Sequence, residues 1–535
     1  MYYDNKIWIG DADGKKVCIL PGMANRHGII AGATGTGKTV TLKVLAESFS
    51  DAGVPVFLAD IKGDLSGMCR PGVDSEDMRE RIARFGLEEC GFRYQAYPSV
   101  FWDLFGQMGI PLRTTISEMG PLLLSKLLDL NPTQADILTI VFKIADDEGL
   151  LLIDTKDLKS MLQYVAENSG EYSSQYGNIA KASVNAILRG VVALEAKGGE
   201  GFFAEPALNI ADWFATDGGK GAINILDCRS LVNDATMYST FLLWMLSELF
   251  ETLPEVGDLA KPRMVFFFDE AHLLFKGISK VLQEKIEQVV KLIRSKGVGV
   301  YFITQSPRDI PDGVLSQLGN KIQHALRAYT PAEEKAVKAA AQSFRVNPAF
   351  DTRTVLSELG TGEALVSVLD EKGIPTVVER CRILPPQSRM GGIPDGEKQT
   401  EAKISNLYLR YQDMNDRDSA YEFLQRRNRQ LALEREEAAQ AAKAEKEAEK
   451  QRVAEEKAAA RQAEKEGREA EKAARARSNA VRKGVKSVAS TAAGTIGREV
   501  GNTLGKSVGG SFGKKLGGNV GAALGRSILG TLFKG

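Results

Sequence analysis

Cysteine is scarce and scattered: Cys18, Cys69, Cys90, Cys228 and Cys381 stand singly, with no Cys-x-x-Cys pair. That excludes a dense disulfide framework and suggests no zinc site. The three histidines, His27, His272 and His324, supply no metal triad, and His27 and His324 read as strand-associated structural residues. No uninterrupted apolar run reaches the roughly 18 residues of a membrane-spanning helix, and Met1–Lys16 has no signal-peptide pattern. A cytoplasmic location is expected. Charge of one sign is missing too, since 69 Lys and Arg balance 69 Asp and Glu. Net charge therefore selects neither nucleic acid nor protein as partner, and local charge must do so.

The 535 residues exceed one core of ordinary size, so at least two regions are expected. Residues 1–400 alternate β-branched and aromatic runs with helical periodicity, which predicts an α/β fold. Within them, about 105–205 read mainly as helices, including Met119–Leu130, Pro132–Asp146 and Asp157–Glu167, and form a helical insertion. Residues 401–485 turn to Ala, Glu, Lys and Arg, strongly helical by propensity but nearly without large apolar residues. They predict a long solvated helix or a weak coiled coil. Residues 486–535 form a glycine-rich tail.

The first chemical signal is Gly32-Ala33-Thr34-Gly35-Thr36-Gly37-Lys38-Thr39, a complete P-loop between the apolar Gly28-Ile29-Ile30-Ala31 and the helix-forming Val40–Leu45. Its glycines let successive N–H groups surround the β-phosphate, and the following helix directs its partly positive end at the same anion. Lys38 neutralises the β and γ oxygens of ATP, and Thr39 offers its hydroxyl to Mg²⁺.

A second signal is the apolar run Met264-Val265-Phe266-Phe267-Phe268, ending in Asp269-Glu270. It predicts a buried strand in which Asp269 holds Mg²⁺ and Glu270 activates the attacking water. Adjacent strand residues point to opposite faces, so the two roles require the chain to turn at this point. The third is Val298–Ser306, a buried strand ended by Pro307, with Gln305 the first candidate for a γ-phosphate sensor and Thr304 the second.

Together these segments resemble the HerA/FtsK group of P-loop motor ATPases, most closely the HerA-like ATPases. The resemblance rests on His27–Thr39, Asp60-Ile61-Lys62-Gly63-Asp64, Asp269-Glu270-Ala271-His272, Ile303-Thr304-Gln305-Ser306-Pro307 and Val314–Ile322, and covers about residues 20–380. It implies a RecA-like core in a ring, typically a hexamer, with ATP between subunits and DNA passing through the centre. HerA proteins usually carry a β-barrel ahead of the P-loop, where this chain has about 25 residues, so barrel-dependent partner binding is not expected. The letters Asp-Glu-Ala-His do not make this a two-core helicase, because no second core with an arginine-rich motif follows residue 330. A finger must then come from a neighbour, and Arg294 and Arg327 fall where related motors place interface arginines.

Three further segments leave alternatives open. Asp60 reaches the carboxyl edge of the sheet, where it either shapes the Mg²⁺ and water network or caps the Lys62-Gly63 loop. Lys181, Arg189 and Lys197 hint at a basic face on the insertion, at a spacing ordinary for a surface helix. In the tail, glycine recurs every four residues from Gly497 to Gly525, each preceded by an apolar residue. On a helix this forms adjoining small and apolar ridges, interrupted by Arg498, Lys506, Lys514, Lys515 and Arg526. A surface-lying or self-associating helix, meeting a membrane surface or a protein, follows. The primary expectation is an ATP-driven DNA translocase or helicase; the other is a non-translocating nucleotide switch or scaffold tethered by its tail.

Overall fold

Runs of β-branched and aromatic residues become the strands of one sheet in the computed structural model, which describes residues 1–231, 234–278 and 280–484. The glycine-repeat tail lies outside the described residues. Eleven strands build most of a 13-stranded sheet: β1 (Lys6–Ala12), β2 (Lys15–Ile19), β3 (Gly28–Ala31), β4 (Val56–Asp60), β5 (Ser99–Asp103), β6 (Ile223–Asp227), β7 (Met264–Phe268), β8 (Val298–Thr304), β9 (Asn320–His324), β10 (Glu363–Ser367) and β11 (Glu379–Ile383). Their order is β1-β11-β10-β9-β3-β8-β7-β4-β6-β5, with β2 paired to β1.

From β9 to β5 the neighbours are parallel. Parallel strands are covered on both faces and so read as continuous apolar runs. All five residues of β7 and all seven of β8 are buried. At the other end β10, β11 and β1 add antiparallel pairs. This is the α/β, RecA-like core that the motifs predict, extended at both edges. The sequence reading omitted β5, which inserts beside β6, and the β1–β2 hairpin.

The order sets the chemistry, because β8 lies between the P-loop strand β3 and the carboxylate strand β7. Thr304 pairs with Ala31, and Phe302 pairs with Phe268, so all three strands end side by side. Crossover connections return every parallel strand in the same direction, which gathers the carboxyl ends and their loops on one edge.

The insertion follows β5 and consists of helices Ile116–Leu127, Pro132–Asp147, Thr155–Glu167, Ser169–Tyr176 and Lys181–Ala196. Three begin at capping boxes, Thr115 with Glu118, Asn131 with Gln134 and Asp154 with Asp157, each satisfying otherwise orphaned amides. Lys181, Arg189 and Lys197 belong to the last helix or its end, and Lys197 is paired with Asp234.

The chain divides into two compact units, the first spanning Met1–Leu431. This unit extends past the expected boundary at 400 because the following segment packs. Tyr411 and Leu424 are buried, Arg113 donates to the Tyr411 carbonyl at 2.6 Å, and Ser419 donates to Asp157 at 2.5 Å. The charged helix accordingly starts at Ala420, not near 401, and runs to Gly484. In the second unit, residues 432–477 are exposed along their whole length, as Ala, Glu, Lys and Arg with few large apolar groups dictate. Among the described residues no helix is long and apolar enough to cross a membrane.

Candidate active site

The P-loop leaves β3 at Gly32 with φ of 156°, and Gly35 and Gly37 take φ of 79° and 112°. A Cβ on Gly32 would stand 2.5 Å from the His324 Cβ, so only glycine lets the loop pass β9. The Lys38–Asp51 helix then begins without a side-chain cap, leaving its first amides directed into the loop. Lys38 is buried, with Nζ donating to the Gly32 and Ala33 carbonyls at 2.6 and 3.0 Å. Burial, reinforced by the nearby Lys62 charge, lowers its pKa. A desolvated ammonium held against the P-loop carbonyls, beside the free amides of the helix start, suits a polyanion. Thr39 sits partly exposed on the first helical turn.

The carboxylates stand two strands away. β7 ends at Phe268, and Glu270 adopts φ of 47°, uncommon for a residue with a Cβ. The chain does turn here, as two separate roles require. The Glu270 N–H donates to Asp269 Oδ1 at 2.9 Å, the Ala271 N–H to the Ile303 carbonyl at 2.8 Å, and the Tyr238 hydroxyl to the Asp269 carbonyl at 2.6 Å. Three bonds thus hold a strained turn.

Burial pushes the Asp269 pKa up to about 6, partly offset by the Lys62 charge and raised further by Glu270. A carboxylate so placed is undercompensated, and a divalent cation would complete its surroundings. Asp269 with Thr39 therefore fits Mg²⁺.

Three nitrogens surround the Glu270 carboxylate: Lys62 Nζ at 3.3 Å from Oε1, and Gln305 Nε2 at 3.5 Å and His272 Nδ1 at 3.3 Å from Oε2, the last in proximity without a hydrogen bond. Thr304 is committed elsewhere, its hydroxyl donating to Asp309 at 2.6 Å, which leaves Gln305 as the exposed amide beside the glutamate. A cavity of about 330 Å³ opens there, lined by Ala33, His272, Gln305 and Arg327 among others.

Asp60 caps a loop: its carboxylate accepts from the N–H groups of Gly63 at 2.7 Å and Leu65 at 3.1 Å. Burial and Asp64 raise its pKa to about 6. The capped loop delivers Lys62 to Glu270, a contact that the Asp60–Asp64 motif alone does not reveal. Tyr238 had no sequence signal at all.

The two candidate arginines separate. Arg294 follows the Lys280–Ile293 helix and precedes β8, so the seven residues of that strand, roughly 20 Å at about 3.3 Å each, lie between it and its own site. Arg327 lies three residues beyond β9 rather than at its end. It lines the cavity by Gln305 and donates to the Ser357 and Leu359 carbonyls.

His324 Nδ1 meets the Glu363 carbonyl at 2.9 Å, so Nε2, 2.8 Å from the Thr41 hydroxyl, is the acceptor. His27 is the mirror case: its Nδ1 accepts from the Val300 N–H at 3.0 Å, and Nε2 donates to the Val290 carbonyl at 2.8 Å. Burial lowers both pKa values to about 4. A depressed histidine contributes stability that is present above the unfolded value near 6.5 and lost as pH falls towards 4. The buried carboxylates titrate with the opposite sign, so the test is a difference. The stability gap between wild type and His324→Asn should narrow by about 2 kcal/mol from pH 7 to 5 in urea unfolding. An unchanged gap would contradict the assignment of a neutral His324.

The family model described as helicase HerA-like C-terminal matches residues 6–532. The chain belongs to this family. It is 21% identical over 364 residues to the DNA double-strand break repair helicase HerA of Sulfolobus acidocaldarius, covering 66% of this chain and 64% of that protein. It is 22% identical over 375 residues to the Saccharolobus solfataricus protein of the same name, covering 68% and 66%. The chain thus spans slightly less than two thirds of the length of these two relatives. Among solved structures, VirB4 of Thermoanaerobacter pseudethanolicus is similar at 17% identity and TM-score 0.47, covering 71% of this chain and 97% of that one. The bacterial conjugative coupling protein TrwB is similar at 13% identity and TM-score 0.48, covering 71% and 89%.

Proposed function

We propose that this family member is a Mg²⁺-dependent ATPase that couples hydrolysis to movement along DNA as a homo-oligomeric ring, typically a hexamer. The observation that carries the reading is the side-by-side ending of β3, β8 and β7, which sets Lys38, Gln305 and the Asp269–Glu270 turn on one edge. In this reading Gly32, Ala33, Thr34, Gly35, Thr36 and Gly37 wrap the phosphates of ATP, and Lys38 balances their charge. Thr39 and Asp269 hold Mg²⁺, which supplies charge neutralisation at the phosphates. Glu270 accepts the proton of the attacking water, and Gln305 orients that water or the γ-phosphate. Lys62 and Gln305 hold the Glu270 carboxylate, so its approach is set before substrate arrives.

Support for DNA as the substrate comes from the family and from the two HerA relatives, which are DNA double-strand break repair helicases. The test is ATP turnover of the full chain with Mg²⁺, with and without duplex and single-stranded DNA. Stimulation by DNA supports a translocase. Unstimulated turnover, with loss of liposome or self-association on deleting residues 486–535, favours the tethered switch instead.

A further inference from the structure

The strand order fixes which way a nucleotide must lie. Glu270 and Gln305 stand on the β8–β7 side of the P-loop strand, so the γ-phosphate points that way, and the nucleoside must leave on the opposite side, over β9, β10 and β11. On that side the turn before β10 presses against the P-loop: the Gly362 N–H donates to the Thr36 carbonyl at 3.0 Å. A Cβ on Gly37 would lie 3.2 Å from the Gly362 nitrogen. Gly362 has φ of 82°, and a Cβ there would meet the Arg81 guanidinium, 3.4 Å from Nη1 and 3.9 Å from Nη2. One glycine thus separates the Arg81 plane from the P-loop.

Arg81 belongs to the helix Glu76–Arg84, capped by Ser75. Two other arginines of that helix are engaged, Arg79 with Asp74 at 2.5 Å and Arg84 with Glu80 at 2.6 Å. On the neighbouring strand Arg380 is paired with Glu363 at 2.8 Å. Arg81 is half-buried, and among the described residues its guanidinium has no carboxylate or carbonyl partner. Water reaches its nitrogens, which are not among the buried unpartnered ones, so the guanidinium plane is free to receive a ligand. Its planar, weakly hydrated cation stacks well on a flat π-system.

We propose that Arg81 is the nucleoside clamp of the site, stacking its guanidinium on the purine base of the bound nucleotide beside the Gly360–Gly362 turn. The inference rests on the proposed ATP site and adds to it the residue that tells a nucleoside triphosphate from bare polyphosphate. Arg81 contributes little to holding the phosphates, which belong to the P-loop amides and Lys38. It takes no part in water activation, since Glu270 lies on the other side of β3.

The test compares two probes on the full-length protein with Mg²⁺: ATP and inorganic tripolyphosphate, by calorimetry or competition. Arg81→Ala should weaken ATP about tenfold, the size of a partly desolvated cation–π contact, while tripolyphosphate affinity stays within about twofold. Arg81→Lys keeps the charge but loses the plane and should recover only part of the lost affinity. Lys38→Ala serves as the reference and should weaken both probes. Equal loss of both probes in Arg81→Ala, or full rescue by lysine, would overturn the stacking role and make the contact a phosphate one. Unchanged ATP affinity would overturn the clamp altogether. Failure of Lys38→Ala to weaken either probe would instead overturn the ATP site, and the clamp with it.

Discussion

Glu270→Gln is expected to bind ATP with near wild-type affinity yet lose almost all turnover, whereas Lys38→Ala loses binding itself. The asymmetry follows from position. Lys38 is buried in the P-loop, against the Gly32 and Ala33 carbonyls, where it meets phosphate charge already present in the ground state. Glu270 stands two strands away, where the proposed reading has it act on the water that becomes the nucleophile. An amide there keeps the shape and one acceptor oxygen but cannot take a proton. General-base contributions run to about 10²–10⁴-fold, so turnover should fall within that range while the dissociation constant changes by less than about threefold. Nucleotide affinity and phosphate release measured for both variants decide this. Equal loss of binding in the two would contradict the separate roles.

Arg294→Ala should lower turnover by up to about 10³-fold with ATP affinity nearly intact, because an arginine finger stabilises charge that develops only in the transition state. The structure makes this a statement about a neighbour. The length of β8 separates Arg294 from its own Gln305, so as a finger it would serve a neighbour's site in the proposed ring. Mixing Arg294→Ala with Lys38→Ala subunits should then restore part of the activity, since each supplies the half-site the other lacks. Arg327 lines its own cavity with Gln305 and His272 and is bonded to two backbone carbonyls. Its alanine variant should show no such rescue. Absence of rescue for Arg294, once mixed assemblies are demonstrated by mass, would remove it as the finger.

Much of this site was legible in the chain because its chemistry is local. The P-loop needs glycines in fixed places, and Asp269-Glu270 needs an apolar strand before it; both leave contiguous marks. The turn that divides the two carboxylates was inferable from strand alternation alone, and Glu270 takes the left-handed backbone that the inference demands. What escaped was tertiary. Nothing in the composition of Ser99–Asp103 tells that it enters the parallel sheet, because a run of three apolar residues, Val100-Phe101-Trp102, fits a strand or a buried helical turn equally. Asp60 could not be assigned until its bonds to the Gly63 and Leu65 amides identified it as a loop cap. Arg81 carries no motif, and only the press of Gly362 against the P-loop brings it to the nucleoside side. The boundary near 400 moved for a related reason: the apolar residues around Tyr411 and Leu424 form short clusters without a clear period, and only the burial of Tyr411 and Leu424 joins them to the first unit.

The central claim is that one sheet edge holds a single nucleotide with its γ-phosphate towards Glu270 and its base towards Gly362. A structure of the Glu270→Gln protein with Mg²⁺ and ATP tests it most directly. The γ-phosphate is predicted within hydrogen-bonding distance of Lys38 and on the Gln305 side of the P-loop, with the metal between Thr39 and Asp269 and the base against Arg81. A nucleotide bound in the reverse direction, or away from the P-loop, would contradict the account.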